Sequence, residues 1–189
     1  MYSVSSNLPG AALTNKVGSM HFFTADQHFN HANILRYANR PFDSVKEMNE
    51  TIIKNHNKVV KRGDVVIHAG DFCFGNNKTA QEFIKRLKGH HIFLEGNHDG
   101  WMKSPKIQMW TKEFKKEGCF IVVSHYAMRT WENSHYNSWN LHGHSHGRLM
   151  PIGKQMDVGV DNTNFSPISL EDVIRIMKFR SDNLNLVTP

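Results

Sequence analysis

In HFFTADQH, residues 21–28, an uncharged run from His21 to Ala25 stops at Asp26-Gln27-His28. An apolar run this short, closed by polar turn residues, reads as a buried strand, since a helix needs a longer periodic stretch. The same grammar recurs along the chain. Asp64-Val65-Val66-Ile67-His68-Ala69 runs into Gly70-Asp71, and His91-Ile92-Phe93-Leu94 into Gly96-Asn97-His98-Asp99. Phe120-Ile121-Val122-Val123 runs into Ser124-His125, and Leu141 leads into Gly143-His144-Ser145-His146. Met156 to Val160 reads as a further strand.

Helical patterns fall between these strands. Ser44-Val45-Lys46-Glu47 is a capping box ahead of Val45, Met48, Ile52 and Val59 on one side. Asn77 caps a helix carrying Phe83, Ile84 and Leu87 and closed by Gly89, and Ser169 caps another with Leu170, Val173, Ile174 and Met177 on one face. Alternating strands and helices predict an α/β fold with largely parallel strands.

If the strands are parallel, their five polar ends emerge at one sheet edge and converge on one crevice. Residues two apart in extended backbone point the same way, so Asp26 with His28, and His144 with His146, can each reach a shared site. Glycines 70, 96 and 143 allow sharp turns and close backbone approach. The polar ends are made of aspartate, histidine and asparagine, donors that suit manganese, iron, zinc or nickel.

The ordered set DxH, GD, GNHD, H and GHxH, from Asp26 to His146, resembles the signature of the calcineurin-like metallophosphoesterases, and a compact bacterial or phage-type branch of them. The resemblance implies two mixed β-sheets packed as a sandwich with flanking helices. It also implies two divalent metal ions, one held by Asp26, His28, Asp71 and His146, the other by Asp71, Asn97, His125 and His144. A phosphoester, phosphodiester or nucleotide-like, would be hydrolysed through a metal-bound hydroxide. His98 would be the family's catalytic histidine that is not a ligand, with Asp99 orienting it or capping the next helix. Alternatives are a phosphomonoesterase of small metabolites, or a nucleic-acid-binding module with a vestigial metal site. Here GD is followed by Phe72-Cys73-Phe74 rather than DRG, and the third motif ends in Asp99 rather than Glu, which disfavours protein-phosphatase activity.

Around the motifs, Arg129, His31 and His135 are candidate substrate-binding residues, with Arg40 a further one for the rim. The aromatic and cationic segment from Tyr126 to His142 is expected to wall the site. His21, His56, His90 and His91 read as solvated surface histidines, and His68, on the opposite strand parity from Asp71, as structural.

With 189 residues, 39% hydrophobic and 21% charged, residues 20–189 suit a single domain. Residues 1–19, polar and without period, read as a disordered leader or, at Gly18-Ser19, a cloning scar. The net charge of +6 favours anionic partners, with a phosphorylated small molecule or nucleotide expected and nucleic acid not favoured. Cys73 and Cys119 lack metal or redox spacing, and no stretch approaches the roughly 20 apolar residues of a membrane span, so a cytoplasmic protein is expected.

Overall fold

The computed structural model describes residues 18–102 and 111–187. The leader assigned to residues 1–19 therefore falls outside the described residues, except for the exposed Gly18 and Ser19. The first sheet is built from β1 (His21–Thr24), β2 (Val65–His68), β3 (His90–Phe93) and β8 (Ile168–Ser169), in the order β3-β2-β1-β8. β1, β2 and β3 pair in parallel and β8 runs antiparallel to β1. The second sheet contains β4 (Thr111–Lys116), β5 (Cys119–Ser124), β6 (Trp139–His142) and β7 (Gln155–Asp157), in that order. Only the β4–β5 pair is antiparallel. Two mixed sheets with helices is the expected architecture.

Strand alternation explains the layering. Phe23, Ile67 and Leu94 of the first sheet meet Ile121, Val123, Leu141 and Met156 of the second in one buried cluster, closed at the side by Leu170, Val173 and Met177. The opposite face of the first sheet carries α2 (Val45–Val59) and α3 (Asn77–Ile84), whose Met48, Ile52 and Ala80 bury against Phe29 and Phe72. α1 is the single turn Ile34–Tyr37, and α4 spans Leu170–Met177.

The Ser44 hydroxyl accepts from Glu47 N at 3.2 Å, but the Glu47 carboxylate returns to Asp43 N at 2.9 Å, one residue before the usual partner. The cap of α3 is Asn76, not Asn77, because Asn76 Oδ1 accepts from Thr79 N at 3.0 Å. That helix ends at Lys85, so Gly89 does not close it; its φ of +109° turns the chain into β3. β4 escaped the sequence reading because TKEFKK pairs only along one edge and carries charge at most positions.

His56 is not a solvated histidine. It is 2% exposed, and its Nε2 donates to Lys88 O at 2.8 Å. Fully buried His68 approaches His91 Nδ1 at 2.9 Å and Gln27 Nε2 at 3.1 Å. Burial pushes His56 down to about 4 and His68 well below its ordinary value. Both stay neutral in the folded chain, whereas the unfolded chain takes up protons below about pH 6.5. Stability is therefore whole above that pH and is lost as pH falls toward 4. His56 alone is expected to cost about 2 kcal/mol between pH 7 and pH 5. Urea unfolding at the two pH values checks this: His56→Gln should flatten the dependence, and an unchanged slope would contradict it.

Candidate metal centre

The loops after β1 and β2 zip together beyond the sheet. Asp26 N donates to Gly70 O at 3.0 Å, His28 N to Asp71 O at 2.9 Å and Phe29 N to Phe72 O at 2.9 Å. The loop after β6 crosses from the second sheet, and His144 N donates to Asp26 Oδ1 at 3.0 Å. These ends gather two groups of side chains. Asp26, His28 and His146 bring donor atoms within 4.8 Å of one another, and so do Asp71, His125 and His144. Asn97 joins the second group, its Oδ1 lying 3.0 Å from both His125 Nε2 and His144 Nδ1. Asp71 Oδ2 stands between the groups, 3.5 Å from His28 Nε2 and 3.5 Å from His125 Nε2.

The convergence does not arise from strand parity. Asp26, His28, Asp71, His144 and His146 all adopt left-handed backbone, with φ between 47° and 66°. Such conformations are costly for residues other than glycine and cluster at functional sites. They turn His144 to one group and His146 to the other, where extended backbone would have sent both the same way. Gly96 has its own reason: a Cβ there would collide with the Asp71 carboxylate and amide.

The outer nitrogens of three histidines have partners, two of them fixed acceptors. His125 Nδ1 donates to Ala69 O at 2.8 Å, and His146 Nδ1 to Asp161 Oδ2 at 2.7 Å. His28 Nδ1 lies 3.2 Å from His31 Nδ1. Each arrangement turns an Nε2 lone pair inward. Asp26 Oδ2 and His28 Nε2 are buried without a hydrogen-bond partner. Acceptors facing acceptors in a buried space call for a cation.

The electrostatics agree. Burial raises Asp26 to about 7 despite His146 and His125 nearby, and lowers His28 to about 2. Burial also opposes ionisation of Asp71, but its contacts with His125 and His28 outweigh it and hold the carboxylate at about 2. His125 and His146 are raised against the effect of burial by Asp71 and Asp161 respectively.

His98 sits beside both groups, its ring 5.2 Å from that of His28, while its backbone N donates to Asp71 Oδ1 at 2.8 Å. Asp99 neither orients His98 nor caps a helix. Its buried carboxylate accepts from the backbone N of Asp71 (2.7 Å), Phe72 (2.9 Å), Cys73 (3.3 Å) and Gly96 (3.0 Å) and from Trp101 Nε1 (2.8 Å), tying the loops of Asp71 and Asn97 together.

Three rim assignments change, those of His31, Arg40 and His135. His31 is 8% exposed and backs His28 rather than facing outward. Arg40 is 5% exposed and lies beneath the loop, donating to Asp26 O (2.6 Å), Gln27 O (3.0 Å) and both oxygens of Asp161 (2.8 Å each). The segment from Tyr126 flanks the site only at its start, where Tyr126 meets His125 and His144, and then leaves it, because β5 and β6 are parallel and the connection must return the length of a strand. It carries His135 to the start of β6, where His135 O accepts from Val187 N at 3.0 Å and Tyr136 lines a hollow with Cys119 and Phe120. Arg129 is exposed on this returning loop and makes no hydrogen bond or ion pair among the described residues.

Asp161, which links His146 to Arg40, was missed by the sequence reading. It lies in a 3-10 turn just past β7, and no motif precedes it; an acidic residue shortly after the last histidine motif was the only available sign.

A sequence model of the calcineurin-like phosphoesterase family matches residues 22–182. An uncharacterized protein of Methanocaldococcus jannaschii is 32% identical over 166 residues, covering 83% of this chain and 90% of that one. A crystal structure of a protein of unknown function from Aquifex aeolicus superposes with a TM-score of 0.67 at 25% identity, covering 84% of this chain and all of that one.

Proposed function

Since the chain belongs to the calcineurin-like phosphoesterase family, we propose that it is a dinuclear-metal-dependent hydrolase of phosphodiester or nucleotide-like substrates. The observation that carries this reading is the pair of donor groups on either side of Asp71, with inward acceptors that lack a partner. Asp26, His28, Asp71 and His146 would hold one ion, and Asp71, Asn97, His125 and His144 the other. Two divalent cations held there would acidify water and take up charge on the phosphoryl oxygens.

The chain's own groups do the rest. The Asp71 carboxylate, held at about 2 by its contacts with His125 and His28 despite burial, would offset the repulsion between neighbouring cations. His98, alone of the site's motif histidines in standing outside both donor groups, would pass a proton to the leaving oxygen. Asp161 and Ala69 O hold His146 and His125 in the tautomers that leave Nε2 free.

The reading is tested by loading the protein with manganese, iron, zinc or nickel and assaying mono-, di- and cyclic phosphoesters. Metal-dependent turnover with a preference for diesters supports it; two bound metals with no hydrolysis of any ester overturn it. No helix among the described residues is long and apolar enough to cross a membrane, and the proposed substrates are water-soluble phosphates.

Asp161 offers a narrower test. Asp161→Asn keeps the shape but not the charge, and loss of such a partner costs about 10- to 100-fold in metal affinity. Calorimetric titration with Mn²⁺ should show one of two binding events weakened and the other intact. Equal weakening of both would mean that Asp161 acts only on the fold.

A further inference from the structure

Phe74 follows two aromatic and sulfur-bearing residues that are fully inside: Phe72 is 0% exposed and Cys73 1%, whereas Phe74 is 50% exposed. Its exposure is not that of a mobile side chain. The ring lies flat on His31, with centroids 4.7 Å apart and planes at 16°. His31 is in turn held by His28, and the Phe74 backbone N donates to Phe29 O at 2.8 Å. One face of the ring is thus seated and the other is open. The ring centre is 6.4 Å from that of His98, and His98 is 5.2 Å from His28.

On the opposite flank the aromatic neighbour is differently set. Tyr126 is 47% exposed and meets His144 edge-on, at 4.6 Å and 62°. The only large ring lying flat against a site histidine with much of its surface open, among the described residues, is therefore on the His98 side. That is the side on which the proposed mechanism places the leaving group.

We infer that Phe74 is a stacking platform for a planar ring carried by the substrate, and that the substrate class is nucleoside phosphates, with the base on Phe74 and the phosphate at the two donor groups. This rests on the phosphoesterase reading above and names its substrate class. A base joined to phosphate through a sugar has the reach to span His98 and lie on Phe74. A ring already immobilised on one face loses little freedom when the other is covered, which is the condition under which stacking contributes most to affinity. Stacking tolerates any base, since each presents a π-face, so the platform selects for a base without selecting which one.

The test uses binding rather than turnover, so its outcome is separate from that of the hydrolysis assay. Nonhydrolysable phosphonate analogues of adenosine monophosphate and of ribose 5-phosphate, together with hexylphosphonate, are titrated calorimetrically into the manganese-loaded protein. The adenosine compound is expected to bind on the order of 10-fold or more tighter than the other two. Phe74→Leu keeps an apolar side chain on His31 but lacks a ring, and should close that gap by weakening the adenosine compound. Phe74→Tyr should restore it. Metal content, measured in each variant, should not change. Equal binding of the adenosine and ribose compounds by the unmodified protein overturns the inference. So does a matching gain for hexylphosphonate, which would mark general apolar contact, or a gap that survives in Phe74→Leu.

Discussion

Asp71→Asn is expected to reduce turnover below detection and to lower the metal retained after dialysis. The substitution is unusually clean. Asp71 sits at φ 54°, a left-handed conformation that asparagine tolerates best after glycine, so the backbone should hold. The hydrogen bond from His98 N to Oδ1 survives, since the amide oxygen still accepts. What is lost is charge at the point between the groups, where Oδ2 lies 3.5 Å from His28 Nε2 and 3.5 Å from His125 Nε2. A neutral amide cannot offset two adjacent dications, and an amide nitrogen in place of Oδ2 offers protons where a lone pair is required. Elemental analysis of the manganese-loaded variant, beside its rate on bis(p-nitrophenyl) phosphate, checks both parts. Near-normal activity with two metals bound would sink the bridging role of Asp71.

His98→Ala should behave in the opposite way, with metal retained and rate lost. The contact of residue 98 with Asp71 is made by its backbone amide, which alanine keeps. Its ring packs beside His28 and His31 at 5.2 and 5.4 Å but belongs to neither donor group. Removing a positioned acid costs roughly 10²–10⁴ in rate. The loss should shrink for p-nitrophenyl esters, whose leaving group needs no proton, and be greatest for alkyl esters. A rate loss that ignores the leaving group would remove the acid role, and a loss of metal would make His98 a ligand.

The metal-ligand candidates were legible because ligand chemistry restricts residue type, and residue type is what a sequence displays. Asp26, Asp71, Asn97, His125 and His146 each stand directly after an apolar run or within a glycine turn, and the order of the motifs carried the family. The caps of α2 and α4 were legible for a similar reason, since Ser44 and Ser169 act on amides three residues away.

The partners of those ligands were not legible. Asp161 meets Arg40 from 121 positions away, and Asp99 reaches Asp71 from 28. A carboxylate in either place is as common on a solvated surface, and only the packing of one loop on another makes it an orienting group. The five left-handed backbones at the site were likewise invisible, because aspartate and histidine do not announce φ as glycine does. The same holds for His56: polarity placed it outside, and the fold buried it. Local chemistry thus specifies strands, caps and the kinds of ligand. Which side chain backs which ligand, and which ring is left open beside it, depends on contacts between distant segments that close only when the two sheets pack.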